Sequence, residues 1–248
     1  MKKTVALLTG FLLIIIALHA QQKQPRFLVE IGVGPSFPIG KFATRSYTGI
    51  GKEPAGLAKM GLGAQVTLGY YVNEVVGLML SSGYSIYKQD ASGYEDYMKS
   101  NLTNSSRVEV DTKSWKVGKI MAGCFYITPL TSAEEEITLI TKLAAGVCKT
   151  DIPEYSWTAY GQNGTAMGGG TEYKTALPWS FCYQISATLR YKLNNNLHVL
   201  LDISSFNSTA QKVYTYNPFF PVPGPTYSEK RKFRLAAVNV MVGIGFTF

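Results

Sequence analysis

Apolar residues occupy every second position between residues 177 and 193 without a break. The apolar set is Leu177, Trp179, Phe181, Tyr183, Ile185, Ala187, Leu189, Tyr191 and Leu193, and the intervening set is Pro178, Ser180, Cys182, Gln184, Ser186, Thr188, Arg190 and Lys192. Side chains alternate between the two faces of a β-strand, whereas a helix would mix the two sets around its axis. The segment is therefore predicted to be a long strand with one apolar face.

Further segments show the same period of two, with varying regularity. They are residues 27–37, 59–72, 75–87, 112–127, 137–149, 197–206 and 235–248. The segment 112–127 is irregular because Lys119 falls on the face of Trp115, and we expect a β-bulge near Gly118 to restore the alternation. Together with residues 177–193, these segments predict eight strands.

The connections between the segments alternate between short and long. The short ones are residues 72–74, 128–136 and 194–196, and the long ones are residues 39–58, 88–111, 150–173 and 207–229. This order is typical of barrels with tight periplasmic turns and extended extracellular loops. We therefore predict an all-β fold, an eight-stranded antiparallel up-and-down transmembrane β-barrel with short periplasmic turns and long extracellular loops.

The second face of the strands distinguishes two kinds of barrel. A soluble lipocalin-like carrier has a charged exterior, whereas a membrane barrel turns its apolar face to lipid. Here the second face is small and nearly uncharged, as at Gly61, Gly63 and Gly69, which favours a membrane barrel with a narrow, filled lumen. Two interfacial belts are expected, with Tyr70, Tyr71, Tyr126, Tyr191, Phe246 and Phe248 near the turns and Tyr84, Tyr87, Trp115, Trp179 and Phe181 near the loops.

The N-terminus has the pattern of a secretory signal peptide. Lys2 and Lys3 precede an apolar run, and Ala20 occupies the position before a signal-peptidase cut. We predict a signal peptide at residues 1–20 and a single barrel domain at residues 21–248, exported to the cell outer membrane. Removing the two lysines lowers the net charge from +8 to +6.

The remaining positive charges are scattered along the chain and form no helical basic stripe, so nucleic-acid binding is not predicted. We interpret them as surface charges that face anionic lipid headgroups, lipopolysaccharide or polysaccharide.

The last residues resemble the C-terminal signal of bacterial outer-membrane barrels. Gly243, Phe246 and Phe248 match that signal, which implies recognition by the barrel-assembly machinery. The chain as a whole resembles the small OmpA/OmpX-type barrels. More closely, residues 34–42 and the junction at residues 20–21 resemble the PorT-like outer-membrane barrel family common in Bacteroidota. That resemblance implies, as one alternative, an accessory role in secretion or surface assembly.

Four charged residues fall on the predicted inner face, in the periplasmic half of their strands: Glu30, Lys142, Arg190 and Asp202. An unpaired charge buried in a narrow lumen is costly, so these residues are predicted to form one ion-pair network. The network would either gate a narrow pore or act as a structural plug.

Catalytic, metal and cofactor sites are not predicted. Beyond the signal peptide the sequence has one histidine, His198, at the periplasmic end of a strand, which is too little for a catalytic triad. Cys148 and Cys182 are expected inside on adjacent strands, either as a disulfide or as small filler, and Cys124 is not assigned to a face.

The last long connection is unusually apolar for a surface loop. Tyr214, Tyr216, Phe219 and Phe220 within it could form a contact surface for an extracellular partner or fold back onto the barrel rim. The sequence as a whole predicts a non-enzymatic outer-membrane barrel with a structural or surface-interaction role. A narrow channel remains an alternative, and a lipid-modifying enzyme is a more remote one.

Overall fold

The computed structural model describes residues 27–44, 55–102, 106–130, 137–172, 175–216 and 227–248. The predicted signal peptide and its cleavage site lie outside the described residues. The strands are β1 Phe27–Pro38, β2 Ala58–Tyr71, β3 Val76–Gln89, β4 Arg107–Thr112, β5 Ser114–Pro129, β6 Ile137–Ile152, β7 Tyr155–Tyr160, β8 Ala166–Glu172, β9 Thr175–Ala176, β10 Ser180–Lys192, β11 Leu197–Tyr216 and β12 Tyr227–Thr247. One α-helix, α1, spans Ala91–Asn101, and a 3-10 turn spans Gly40–Phe42.

Eight of the described strands form a closed antiparallel ring in the order β1, β2, β3, β5, β6, β10, β11, β12. β1 pairs with β12, so that Val29 lies opposite Phe246 and Val33 lies opposite Val242. The pairing of β6 with β10 joins the two halves of the sheet. Each strand in the ring is antiparallel to its neighbour in sequence, which confirms the predicted up-and-down barrel.

Two of the short turns are closed in the same way by an asparagine. The Asn73 Oδ1 atom accepts hydrogen bonds from the backbone N–H groups of Val75 and Val76, at 3.0 and 2.7 Å. The Asn194 Oδ1 atom accepts from Asn196 and Leu197, at 3.0 and 2.9 Å. Asparagine favours such turns because its side chain replaces one backbone acceptor. The third short turn includes residues 131–136, outside the described residues.

The exterior of the ring is apolar, as the alternation predicts. Phe181 is 65% exposed, Trp179 61% and Leu62 61%, and other large apolar side chains point outward along the strands. Water would make such a surface unfavourable, because each exposed Å² of apolar area costs about 25 cal/mol. Contact with hydrocarbon removes this cost, so the exterior is that of a transmembrane barrel.

The interior is less uniformly small and polar than the sequence analysis expects. Trp115, Val117, Met121, Phe125 and Ile127 of β5 all lie inside and are nearly fully buried. These bulky side chains occupy space that glycines on the neighbouring strands leave empty. A Cβ atom on Gly77 would lie 2.1 Å from the Phe125 ring, and one on Gly83 would lie 2.6 Å from the Lys119 side chain.

The predicted bulge near Gly118 is wrong. The pairing of β5 runs unbroken through Gly118, which lies opposite Tyr84 on β3 and Lys149 on β6. Lys119 shares the face of Trp115 because both belong to the inner face. The β2–β3 pair instead shifts register between Ala58 and Gly61.

Three residues assigned to the interfacial belts lie inside the barrel. Tyr87 and Trp115 are each 2% exposed, and Tyr71 packs against Phe125 with a ring-centroid separation of 5.3 Å. Their registers put them on the inner face, where their volume is needed to fill the lumen. Seven of the other belt residues are exposed, as predicted: Tyr84, Tyr126, Trp179, Phe181, Tyr191, Phe246 and Phe248.

The long connections carry secondary structure that the sequence analysis does not predict. β11 and β12 continue as a hairpin until Tyr216 lies opposite Tyr227, so much of the connection 207–229 is strand. β4, β7 and β8 form a separate three-stranded sheet, which joins two different long connections. Among the described helices, α1 is too short and too polar to cross a bilayer.

We predict that Gly123→Ala destabilises the barrel. A Cβ atom at Gly123 would lie 1.9 Å from the Leu143 carbonyl oxygen, so neighbouring backbone must move, at a cost of about 1–3 kcal/mol. Urea unfolding in detergent, followed by tryptophan fluorescence, measures the loss. Gly118→Ala on the same strand is the control, because its Cβ atom would lie 3.8 Å from the nearest neighbour. Equal stability of the two variants would contradict the close approach.

Candidate functional site

The extracellular mouth of the barrel is closed by an aromatic cluster formed by Phe42, Tyr87 and Trp115. Phe42 lies on the 3-10 turn, and its ring contacts those of Tyr87 and Trp115 edge-on, with centroid separations of 5.1 and 5.4 Å. The Trp115 Nε1–H donates to the Gly56 carbonyl oxygen at 2.9 Å. The described ends of the first long connection therefore fold into the mouth.

Leu57 completes this closure from the same connection. Its side chain is fully buried although its φ of 51° lies in the left-handed region. That conformation is unfavourable for leucine, so the surrounding contacts must hold it. The Asp90 N–H donates to the Leu57 carbonyl oxygen at 2.7 Å, which ties the connection to the end of β3.

Asp90 also holds the start of helix α1. Its Oδ1 accepts from the Ser92 backbone N–H at 3.2 Å and lies 3.0 Å from the Lys59 amine. Burial alone would raise the pKa of the Asp90 carboxyl, but the hydrogen bonds from Ser92 and the nearby Lys59 charge outweigh it and lower that pKa. The carboxylate is thus ionised at neutral pH, where it serves as an N-cap.

The middle of the lumen contains Lys119, which the sequence analysis did not propose as a site residue. Its amine donates to the Gln184 Oε1 atom and lies 5.0 Å from the centroid of the Phe206 ring. Gln184 in turn donates to Gln65 at 3.3 Å. The sequence did indicate this residue, because Lys119 is a charge on an otherwise apolar face. The sequence analysis explained that charge by a β-bulge instead of by a position in the lumen.

The periplasmic half of the lumen contains the four predicted charges. Glu30 and Lys142 form a buried ion pair, and their side chains are 5% and 4% exposed. Asp202 accepts a hydrogen bond from Thr188 at 2.6 Å. Arg190 is 2.9 Å from Thr138 Oγ1, to which its Nε donates.

The four charges therefore do not form the single predicted network. Arg190 lies opposite Leu200 on one side and Thr138 on the other, and it reaches Thr138 and the Tyr71 hydroxyl rather than Asp202. Asp202 lies opposite Thr188, two positions away along β10. Both side chains form these hydrogen bonds with neutral hydroxyl groups. Of the four, Glu30 and Lys142 alone are brought together as an ion pair.

The space left beside this pair is small. A cavity of about 30 Å³ is lined by Glu30, Gln65, Thr67, Lys142, Thr188 and Asp202, among other residues. This is the volume of roughly one water molecule.

The periplasmic end is also filled. Phe125 and Leu28 are nearly fully buried, and His198 is 5% exposed with its Nε2 atom 3.1 Å from the Thr247 hydroxyl. His198 thus lies in the lumen close to the periplasmic turn, as its register predicts. The described residues bring no Ser or acidic side chain into a hydrogen bond with it.

The cysteines are separate free thiols in this structure. Cys148 lies opposite Ser180, whereas Cys182 lies opposite Gly146, so the two buried cysteines are diagonal neighbours. The Cys148 thiol donates to Ser208 at 3.1 Å. Cys124, which the sequence analysis did not place, is exposed on the outer face. Among the described residues, no group of three or more His, Cys, Asp or Glu side chains is placed to hold a metal.

The residues of the predicted barrel-assembly signal lie at the C-terminal end of β12. Gly243 faces inward, while Phe246 and Phe248 are 40% and 61% exposed on the outer face. The backbone of Tyr214 and Tyr216 belongs to β11, and Phe219 and Phe220 lie outside the described residues.

Comparison with known proteins finds similar solved structures. No protein-family model and no curated protein matches the chain. The attachment invasion locus protein Ail of Yersinia pestis is 13% identical with a TM-score of 0.43, over 91% of this chain and 99% of Ail. The outer membrane protein OprG of Pseudomonas aeruginosa is 11% identical with a TM-score of 0.45, over 92% and 97%. A major outer membrane protein of Thermus thermophilus is 11% identical with a TM-score of 0.44, over 90% and 99%.

We predict that Lys142→Met destabilises the barrel by about 3–5 kcal/mol, because it leaves the buried Glu30 carboxylate without its partner. The double variant Lys142→Met/Glu30→Gln is expected to regain most of that loss, since neither side chain is then charged. Chemical unfolding of the wild type, the Lys142→Met and Glu30→Gln single variants and the double variant in the same detergent completes the cycle.

A less buried ion pair provides the control. Lys113 and Glu154 are 3.1 Å apart outside the barrel, and Lys113→Met should cost less than about 1 kcal/mol. If Lys142→Met lowers the free energy of unfolding by no more than Lys113→Met does, the buried Glu30–Lys142 pair does not stabilise the barrel as predicted.

Proposed function

We propose that this protein is a non-enzymatic integral outer-membrane barrel that anchors an extracellular surface and does not conduct. The observation that carries the proposal is an apolar exterior around a lumen filled by side chains at both ends. A chain built in this way gains stability in a membrane and leaves no continuous passage through its own interior. Its useful surface is then the part outside the membrane.

The extracellular side has ordered structure that supports such a role. β4 pairs with β7 from Arg107 opposite Tyr160 to Thr112 opposite Tyr155, and β8 extends the same sheet. Tyr94 of helix α1 stacks on Tyr155 with a centroid separation of 4.5 Å. Because two separate connections build this sheet, they present one folded surface rather than independent loops.

The narrow-channel alternative is disfavoured by the filled lumen. A permeating ion would have to displace Phe42 and Trp115 at the mouth. Further down it would meet the buried Glu30–Lys142 pair and Phe125, which lies opposite Lys142. Each step disrupts packing or an ion pair that stabilises the fold.

The enzyme alternative lacks a suitable set of side chains among the described residues. His198 contacts a threonine near the periplasmic end, while the outer leaflet lies at the other end. Catalysis on an outer-leaflet lipid would need an acid or base within hydrogen-bond reach of that lipid.

We further infer that residues 1–20 direct export and that residues 21–248 form the mature domain. The barrel-assembly machinery would then recognise Gly243, Phe246 and Phe248, of which the two phenylalanines are exposed at the end of β12. The proposed contacts of the mature protein are outer-membrane lipid, lipopolysaccharide and an extracellular partner.

Fractionation followed by electrophoresis tests the location and the fold together. We predict that the chain is recovered in the outer-membrane fraction and migrates faster before boiling than after it, because a closed antiparallel ring stays compact in detergent. A periplasmic protein spiked into the same sample serves as the fractionation control. Recovery in the soluble periplasmic fraction without a heat-dependent shift would overturn the proposed location.

Planar bilayer recording tests the closed lumen. We predict no discrete current steps from the wild-type chain, and none from Trp115→Ala, because the layers around Lys142 and Phe125 remain in place. A known porin recorded in the same bilayers shows that the method detects conductance. Reproducible steps from the folded wild-type chain would instead establish the narrow channel.

A further inference from the structure

A row of basic side chains lies on the outer face of β12, beyond the apolar band. Lys230, Lys232 and Arg234 occupy alternate positions, so all three point to the same face. Successive members are separated by about 6.6–6.8 Å along the strand. Their cross-strand partners on β11 are the uncharged Val213, Gln211 and Thr209, in that order.

The apolar band ends directly below this row. The next outward positions of β12 are Ala236 and Val238, and the nearby outward positions of β10 are Phe181 and Tyr183, which are 65% and 44% exposed. Arg234 therefore lies where the lipid-facing surface gives way to the extracellular hairpin. A side chain at this level is at the height of lipid headgroups.

A second cation is held at the same place by the first long connection. Lys41 lies on the 3-10 turn, whose neighbouring Phe42 is buried in the mouth. The Ile39 N–H donates to the Ala236 carbonyl oxygen at 2.9 Å, which fixes the connection against β12. Lys41 itself is exposed, so a buried ring and a backbone hydrogen bond position it above the wall of the barrel.

These elements line an open groove of about 470 Å³ on the outside of the barrel. Its lining includes Lys41, Phe181, Tyr183, Asn207, Thr209 and Arg234. Two cations lie at its rim, the two aromatic rings provide an apolar wall, and the amide and hydroxyl groups can form hydrogen bonds. This is a combination of groups that suits one amphiphilic molecule rather than a free ion.

The occupant must satisfy three requirements at once. Its acyl chain would pack on Phe181 and Tyr183, its anionic group would meet Lys41 and Arg234, and its polar linkage would reach Asn207 and Thr209. Arginine and lysine are both frequent phosphate ligands, and arginine adds a two-pronged geometry. Sugar hydroxyls match the neutral hydrogen-bonding groups.

We propose that this groove binds a phosphorylated glycolipid of the outer leaflet, with lipid A chemistry, through Lys41 and Arg234. This assignment rests on the proposed outer-membrane location, and it specifies one class of lipid and one site on the barrel where that lipid binds. Lys230 and Lys232 continue the row away from the membrane, where they would contact anionic groups further along the same headgroup.

Binding of bisphosphorylated lipid A to the purified full chain in detergent tests the site. Native mass spectrometry measures the bound fraction for the wild type and for Lys41→Gln/Arg234→Gln. The double variant removes two charge-assisted contacts, so its affinity should fall about tenfold or more. Wild-type affinity for dephosphorylated lipid A should fall by a similar factor, and this comparison needs no variant.

The matched control removes two cations from the opposite wall. Lys88 on β3 and Lys116 on β5 are exposed, and these strands lie across the ring from β11 and β12. Lys88→Gln/Lys116→Gln makes the same change in net charge and should alter lipid A affinity less than twofold. The heat-dependent shift of each variant verifies that its barrel is folded.

Defined outcomes would overturn the proposal. Equal loss in the two double variants would show a general charge effect and no site at this groove. Equal affinity for phosphatidylglycerol would show an unspecific anionic-lipid surface, and displacement by millimolar inorganic phosphate would show a free-anion site. Lipid binding is measured on the purified chain, whereas the outer-membrane location is tested by fractionation. A negative binding result therefore leaves the proposed location unaffected.

Discussion

The closed ring imposes a volume constraint on which the rest of the structure depends. Eight strands enclose an interior that side chains fill, so bulky groups on one strand require small groups on its neighbours. Phe125 on β5 occupies the space beside Gly77, and Met241 on β12 occupies the space beside Gly63. The glycines of β2 and β3 are thus complementary to the large residues of the other strands, and neither set is stable inside the ring without the other.

The same constraint determines how charge is accommodated inside. A buried charge needs a partner within a few Å, because the low-dielectric interior otherwise disfavours it strongly. Glu30 and Lys142 meet this need as an ion pair across the lumen, while Lys119 relies on Gln184 and the Phe206 ring. These groups lie between the aromatic cluster at the mouth and the periplasmic end of the lumen. Under the proposed function, the contact surfaces of the protein lie outside the barrel.

Those surfaces are built by tertiary contacts between distant parts of the chain. The extracellular sheet joins strands that lie about fifty residues apart, with Val108 opposite Ala159. The groove proposed to bind lipid combines Lys41, Phe181 and Arg234, which come from three separate connections or strands. Burial of Phe42 links the lumen to this groove. Its ring closes the mouth of the lumen, and the same turn places Lys41 at the outer rim.

The sequence by itself determined the barrel, its strand order, two of its short turns and its apolar exterior, because each depends on local alternation or on a turn residue such as Asn73. It also predicted correctly that Glu30 and Lys142 lie inside. Tertiary structure decided the rest. The partner of a lumen charge depends on strand register, which sends Arg190 to Thr138 instead of Asp202. Trp115 and Lys119 were assigned wrongly because an inner face accommodates bulky side chains wherever glycines on facing strands leave room. Large side chains and glycines face each other in this way only after the ring has closed.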